Sequence, residues 1–160
     1  MAIELITAAT WPEILQLQGE VYRDVEPEEV EILQDKWIRS PQSCFIYRED
    51  DHLKGYLLSH PWHDDHPPKL FQRLPLGTDG KVLFLHDLAI SPSSSGQGIG
   101  SIMLHHLIAL AGHSGYQEIR LVSVQNSSRF WQKQGFTALP QAVCNSYGQD
   151  ALFMARTLSE

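Results

Sequence analysis

Cysteine is scarce in this 160-residue chain: Cys44 and Cys144 are the only two, too few for a disulfide scaffold. Long apolar runs are missing too, and no stretch approaches the roughly 18–20 apolar residues that a membrane span needs. Basic clusters are absent. The 12 Lys and Arg are scattered against 19 Asp and Glu, for a net charge of −7, so a nucleic-acid footprint is not expected. The opening residues, Met1-Ala2-Ile3-Glu4-Leu5, show no basic region followed by an apolar run. That predicts no secretory signal, a cytoplasmic location and two reduced, buried thiols. Repeats, low-complexity tracts and linkers are lacking as well. The acidic balance mildly favours cationic or neutral small partners over polyanions.

What is present is an ordinary globular composition, 42% hydrophobic and 19% charged, sized for one domain over residues 1–160. Ile3–Thr7 alternates as a first strand. Thr10-Trp11-Pro12 reads as a helix start with proline in the first turn, and a second helix begins near Pro27-Glu28-Glu29 and stops before Ser40-Pro41. Cys44–Arg48 and Lys54–Ser59 predict a hairpin around Asp50-Asp51. Residues 60–80, with four prolines and three histidines, predict the longest loop. Val82–Ile90 is the longest strand signal. After it, Ile99, Ile102, Met103, Leu107 and Leu110 mark one buried face of a helix. Glu118–Val124 is a further buried strand, Asn126–Lys133 a short helix, and Ala151–Thr157 the last strand. The order βααβββαβαββ predicts a mixed α/β sheet flanked by helices, with one strand–helix–strand crossover.

That crossover carries the most informative segment, Ile90-Ser91-Pro92-Ser93-Ser94-Ser95-Gly96-Gln97-Gly98-Ile99-Gly100-Ser101. Glycines two apart let a backbone turn tightly, and a helix start adds unpaired N–H groups with partial positive charge. Together they predict a diphosphate cradle. A Walker A loop fails, because Gly100 is followed by Ser101 and Ile102 rather than Lys and Ser/Thr. A dinucleotide fingerprint fits poorly, because the third glycine comes one residue early and Glu118 lies at the start of its strand.

The segment Ile90-Ser91-Pro92 to Gly96-Gln97-Gly98-Ile99-Gly100 and Leu104 resembles the acetyl-CoA motif of the GNAT superfamily of N-acetyltransferases. A second stretch, Asn126-Ser127-Ser128-Arg129-Phe130-Trp131-Gln132-Lys133-Gln134-Gly135-Phe136, is similar to that family's short-helix motif. Together they span roughly residues 82–137. The resemblance implies a single acyl-CoA N-acyltransferase domain. Its fold would be a mixed, mostly antiparallel sheet of six to seven strands, splayed at the centre and flanked by about four helices. It implies acetyl-CoA as co-substrate, no metal, and direct acetyl transfer to a primary amine on a small molecule or peptide. No membrane partner is implied, and a homodimer through exposed strand edges is left open.

By the same resemblance, cofactor contacts fall on Leu88, Ala89, Ile90, Ser95, Gly96, Gln97, Gly98, Ile99, Gly100, Ser101, Asn126, Phe130 and Trp131. Two departures bear on mechanism. Ser95 replaces the motif's Arg or Gln, so no cation reaches the diphosphate from there. Trp131 replaces a tyrosine that often protonates the departing thiolate, and an indole N–H is no usable acid. Both keep open a second reading, a catalytically weak acyl-CoA-binding regulatory module.

His86 is the candidate base, because relatives that acetylate arylalkylamines carry a histidine at this strand position; a histidine bonded to a neighbouring strand is the plainer alternative. Strand alternation puts Asp87 on the opposite face, as a catalytic group or as a buried partner for an arginine or loop amide. Tyr147 is the candidate replacement acid, or else a turn tyrosine with a wet hydroxyl. His60, His63, Asp64, Asp65 and His66 have the composition of metal ligands, but prolines break the geometry that would converge them. Trp11, Trp37 and Trp62 suit either an aromatic acceptor pocket or the core.

Overall fold

A computed structural model describes residues 3–22, 28–63, 66–72, 80–124, 127–141, 143, 147 and 150–158. Seven strands and four helices follow in the expected order: β1 (Ile3–Leu5), α1 (Trp11–Val21), α2 (Val30–Arg39), β2 (Phe45–Glu49), β3 (His52–Trp62), β4 (Val82–Ile90), α3 (Ile99–His113), β5 (Glu118–Ser123), α4 (Ser128–Lys133), β6 (Thr137–Ala138) and β7 (Leu152–Thr157). They form one sheet in the order β1-β2-β3-β4-β5-β7-β6. Every neighbouring pair is antiparallel except β4 and β5, which α3 connects in parallel.

Each face of the sheet buries its own apolar cluster. Trp11, Ile14 and Leu17 of α1 and Leu33 of α2 pack on Ile46, Tyr56, Leu58 and Ala89. On the other face, Met103, Leu104 and Leu107 of α3, with Trp131 and Phe136, cover Phe45, Leu57, Leu83 and Leu85. Asp50 and Asp51 both adopt left-handed backbone, with Glu49 opposite His52, which makes the β2–β3 link a tight two-residue hairpin.

Most boundaries fall within two residues of the sequence expectation, and the end of β3 departs furthest. β3 does not stop at Ser59 but runs through His60 and Pro61 to Trp62, paired with β4 as far as Val82. Beyond Phe45↔Leu57, β2 no longer pairs with β3, so this end of β3 is a sheet edge, where a proline is tolerated. The three tryptophans do not share a pocket. Trp11 and Trp37 pack against each other at 5.7 Å, while Trp62 belongs to a separate cluster with Phe84 and Phe153. Cys44 is buried and free, its thiol pushed up to about 12 by burial; Cys144 lies outside the described residues.

Candidate functional site

The site begins where two strands part. β4 and β5 pair only from Val82↔Glu118 to Leu85↔Leu121; beyond that point β4 pairs with β3 and β5 with β7. At the same place β4 carries a β-bulge. Leu58 opposes Asp87 and Ser59 opposes Leu85, which leaves His86 as the extra residue.

The bulge shifts side-chain parity. Leu83 and Leu85 face α3 before it, Leu88 and Ile90 after it, while Ala89 joins the cluster under α1 and α2. His86 and Asp87 therefore share the α1–α2 side, which corrects the alternation-based expectation that Asp87 points away from His86.

The bulge also sets which amides are open. The Ser91 N–H donates to the Lys54 carbonyl at 2.7 Å, which fixes the hydrogen-bonding phase of β4 against β3. In that phase Ala89 bonds with Tyr56, while the N–H and C=O groups of Leu88 and Ile90 turn towards the side that β5 has left. A cleft of about 580 Å³ opens there. Leu88, Ile90 and the 91–101 turn form one side, and Val122, Val124, Ser127, Phe130 and Trp131 the other.

At one end of the cleft lies the glycine turn. Pro92–Ser94 makes a single 3-10 turn, and Gly96 and Gly98 follow at φ 80° and 79°, a conformation that L side chains resist. Gly98 is the N-cap of α3, and no side chain caps it. The first bond of the helix runs from the Ile102 N–H to the Gly98 carbonyl at 3.0 Å, so the N–H groups of Ile99, Gly100 and Ser101 have no acceptor inside the helix. A Cβ on Gly96 or Gly98 would meet open space, and the cradle is accessible. Among the described residues lining the cleft there is no Lys or Arg. An anion there would meet backbone N–H dipoles and serine hydroxyls rather than a described cationic side chain.

The other end carries ionisable groups. The His86 Nε2 lies 2.6 Å from Glu28 Oε1, and Glu28 Oε2 accepts the Phe71 N–H at 2.8 Å. Asp87 accepts the Tyr22 hydroxyl on one oxygen and the Tyr56 hydroxyl, at 2.6 Å, on the other. Burial works against the Glu28 carboxylate, yet the facing His86, with Lys36 and the Phe71 N–H, holds it down at about 2. Burial pushes the Asp87 carboxyl up, against the pull of His86 and the two hydroxyls. Burial and then the Asp87 charge raise both phenols well above the usual range, so neither is a ready proton donor at neutral pH. Lys36 is wholly buried with no hydrogen-bond partner on Nζ, and burial lowers its ammonium pKa.

Of the residues expected from sequence, His86, Asp87, Leu88, Ile90, Ser95, Gly96, Gly98, Ile99, Gly100, Ser101, Phe130 and Trp131 line this cleft. Ala89 is buried on the helix side of β4, and Gln97 is exposed outside the lining. Asn126 lies outside the described residues, as do Asp64 and Asp65. Tyr147 is placed elsewhere: it is buried, its hydroxyl donates to the Pro68 carbonyl, and it does not line the cleft, which corrects its assignment as the replacement acid. Trp131 gives its Nε1–H to Ser127 Oγ at 3.2 Å. Sequence reasoning missed Glu28, Tyr22 and Tyr56. The only signal for them was an acidic residue at a helix start and two tyrosines, none of which points to β4. Among the described residues, no three His, Cys, Asp or Glu are grouped to hold a metal, and no helix is long and apolar enough to cross a membrane.

Compared with models of known families, the chain matches that of the Acetyltransferase (GNAT) family over residues 11–136. No curated protein sequence matches it. Among solved structures, it is similar to the loading GNATL domain of CurA from Lyngbya majuscula (TM-score 0.83, 15% identity, covering 98% of this chain and 96% of that one). It is also similar to the PaiA N-acetyltransferase from Thermoplasma acidophilum in complex with coenzyme A (0.70, 16%, 98% and 99%). A third is Arabidopsis thaliana Naa50 in complex with a bisubstrate analogue (0.73, 15%, 97% and 97%).

Proposed function

Because the chain belongs to the acetyltransferase (GNAT) family, an acyltransferase family, we propose that it moves an acetyl group from acetyl-CoA directly to a primary amine. The observation that carries this reading is the continuity of the cleft. It joins the uncapped α3 turn, the open amides of Leu88 and Ile90, and residue His86 in one space. The residues fit an acyl-CoA: N–H groups of Ile99, Gly100 and Ser101 suit the diphosphate, and the β4 edge suits an extended amide-bearing arm. When bound, acetyl-CoA supplies an activated thioester carbonyl. An N–H of Leu88 or Ile90 donates to the negative charge that develops on the acyl oxygen, a role that their open edge of β4 supports. His86 takes the proton that the attacking amine gives up. Departure of the thiolate needs no side-chain acid, because a thiol has a modest pKa of its own. This is consistent with Trp131 at the family's tyrosine position.

A thiol-release assay with acetyl-CoA and a panel of amines tests the proposal, using protein analysed first by mass spectrometry for co-purifying acyl-CoA. Turnover on a primary amine, reduced about 100-fold by His86→Gln, is expected. Coenzyme A binding without turnover on any amine would replace the enzyme reading by that of a binding module of the same fold.

A further inference from the structure

His86 is almost out of contact with water, and so is its partner: their side chains are 4% and 7% exposed. A pair so enclosed is not screened, and its geometry sets the chemistry of the ring. Nε2 is taken by Glu28 at 2.6 Å, and Nδ1 is buried with no hydrogen-bond partner, a basic atom left unsatisfied beside the cleft. Glu28 is the less available acceptor of the two. Both of its oxygens are engaged, one by His86 and the other by the Phe71 N–H from the segment that follows β3. Phe71 adopts left-handed backbone, φ 65°, which is rare for an aromatic residue and fits a segment held in place by that bond. Glu28 thus ties the start of α2 and the 66–72 segment to the bulge of β4.

The geometry points to Glu28 as the positioning residue of the proposed transfer: it accepts the Nε2–H of His86, fixes that tautomer, and presents Nδ1 as the basic atom. This rests on the acetyl-transfer reading above. In the step it implies, the amine nitrogen bonds to the acyl carbon, the C–S bond then breaks, and sulfur leaves with the electron pair. The amine's proton moves to Nδ1, and the other proton stays on Nε2, donated in a hydrogen bond to Glu28, whose negative charge faces the new imidazolium.

Two measurements test it. Nitrogen-15 NMR of the histidine rings in the wild-type protein is expected to show His86 protonated on Nε2 and bare on Nδ1 while the ring is neutral. Steady-state kinetics are expected to show Glu28→Gln lowering kcat about 100-fold, with KM for acetyl-CoA changed less than about twofold. The Glu28→Gln/His86→Gln double variant is expected to be no slower than His86→Gln alone, because a residue acting only through His86 has nothing further to lose. A proton on Nδ1, an unchanged kcat, or effects that multiply in the double variant would each overturn the assignment. If Glu28→Gln fails to fold, the wild-type tautomer decides by itself. If no amine is acetylated, the functional reading fails, and the tautomer still tells whether Glu28 directs the ring.

Discussion

Ser95 stands where the family motif carries Arg or Gln, and no described Lys or Arg lines the cleft. In the proposed function the cradle would therefore bind through oriented N–H dipoles, whose attraction for a diphosphate depends less on salt than that of a mobile cation. Isothermal titration of coenzyme A is expected to show weak dependence of affinity on ionic strength for the wild type. Ser95→Arg adds a charge-assisted contact and should tighten binding about tenfold at low salt, with a steeper loss as salt rises. An unchanged affinity would mean that residue 95 does not face the diphosphate. At the same scale, Glu28, Tyr22 and Tyr56 show why the ionisable cluster was hidden from sequence. Glu28 meets His86 across 58 residues, and Tyr22 meets Asp87 across 65. No local pattern announces a partner at that separation. His86 itself was legible because it falls on a strand whose position the family motif fixes.

Among the elements, the β4–α3 turn was the most legible, because its glycines answer to local backbone geometry. Gly98 sits at φ 79° and Gly100 inside the helix, and a Cβ on either would find room: open space at Gly98, and the Phe130 ring at 3.5 Å at Gly100. Only the backbone separates them. Gly98→Ala should cost about 1–2 kcal/mol of stability and weaken coenzyme A binding, since the left-handed conformation disfavours a side chain. Gly100→Ala should be neutral or stabilising by up to about 1 kcal/mol, because Ala is the better helix former. Urea unfolding and titration of both variants check this; equal losses would show that the turn does not depend on the left-handed residue. The α4 end was legible for the same reason. The Gly135 N–H bonds the Gln132 carbonyl and the Phe136 N–H the Trp131 carbonyl, a closure that needs the positive φ of Gly135 and brings Phe136 onto Trp131. The bulge at His86 was not legible. One inserted residue leaves the apolar character of β4 intact while exchanging its faces, and only the partner strand reveals the slip.

At the scale of the whole molecule, element order, sheet class and crossover all followed from periodicity and turn chemistry, which are nearly independent of distant contacts. The reach of β3 did not, because proline argues against a strand unless a missing neighbour makes an edge there. That extension has a consequence for stability. It carries His60 into the interior, wholly buried against Phe84 and Trp62, with Nδ1 on the Pro61 carbonyl and no partner on Nε2. Burial pushes its pKa down from 6.5 to about 3. In the unfolded chain the imidazole binds a proton below about pH 6.5, whereas the folded protein refuses it until about pH 3. The stability that this group contributes is therefore complete above pH 6.5 and falls on acidification through this window, by about 1.4 kcal/mol per pH unit. Glu28 adds to the loss lower down. Its carboxyl is held at about 2 against an ordinary 4.5, so its contribution is present above pH 4.5 and lost as pH falls towards 2. Denaturant unfolding measured from pH 7 to pH 4 should show the wild type weakening steadily from pH 6.5. His60→Phe, which keeps the ring packing and removes the titrating nitrogens, should flatten the slope between pH 6.5 and 4.5 and leave the lower part to Glu28. An equally steep profile in His60→Phe would mean that the buried end of β3 is not where acid attacks this fold.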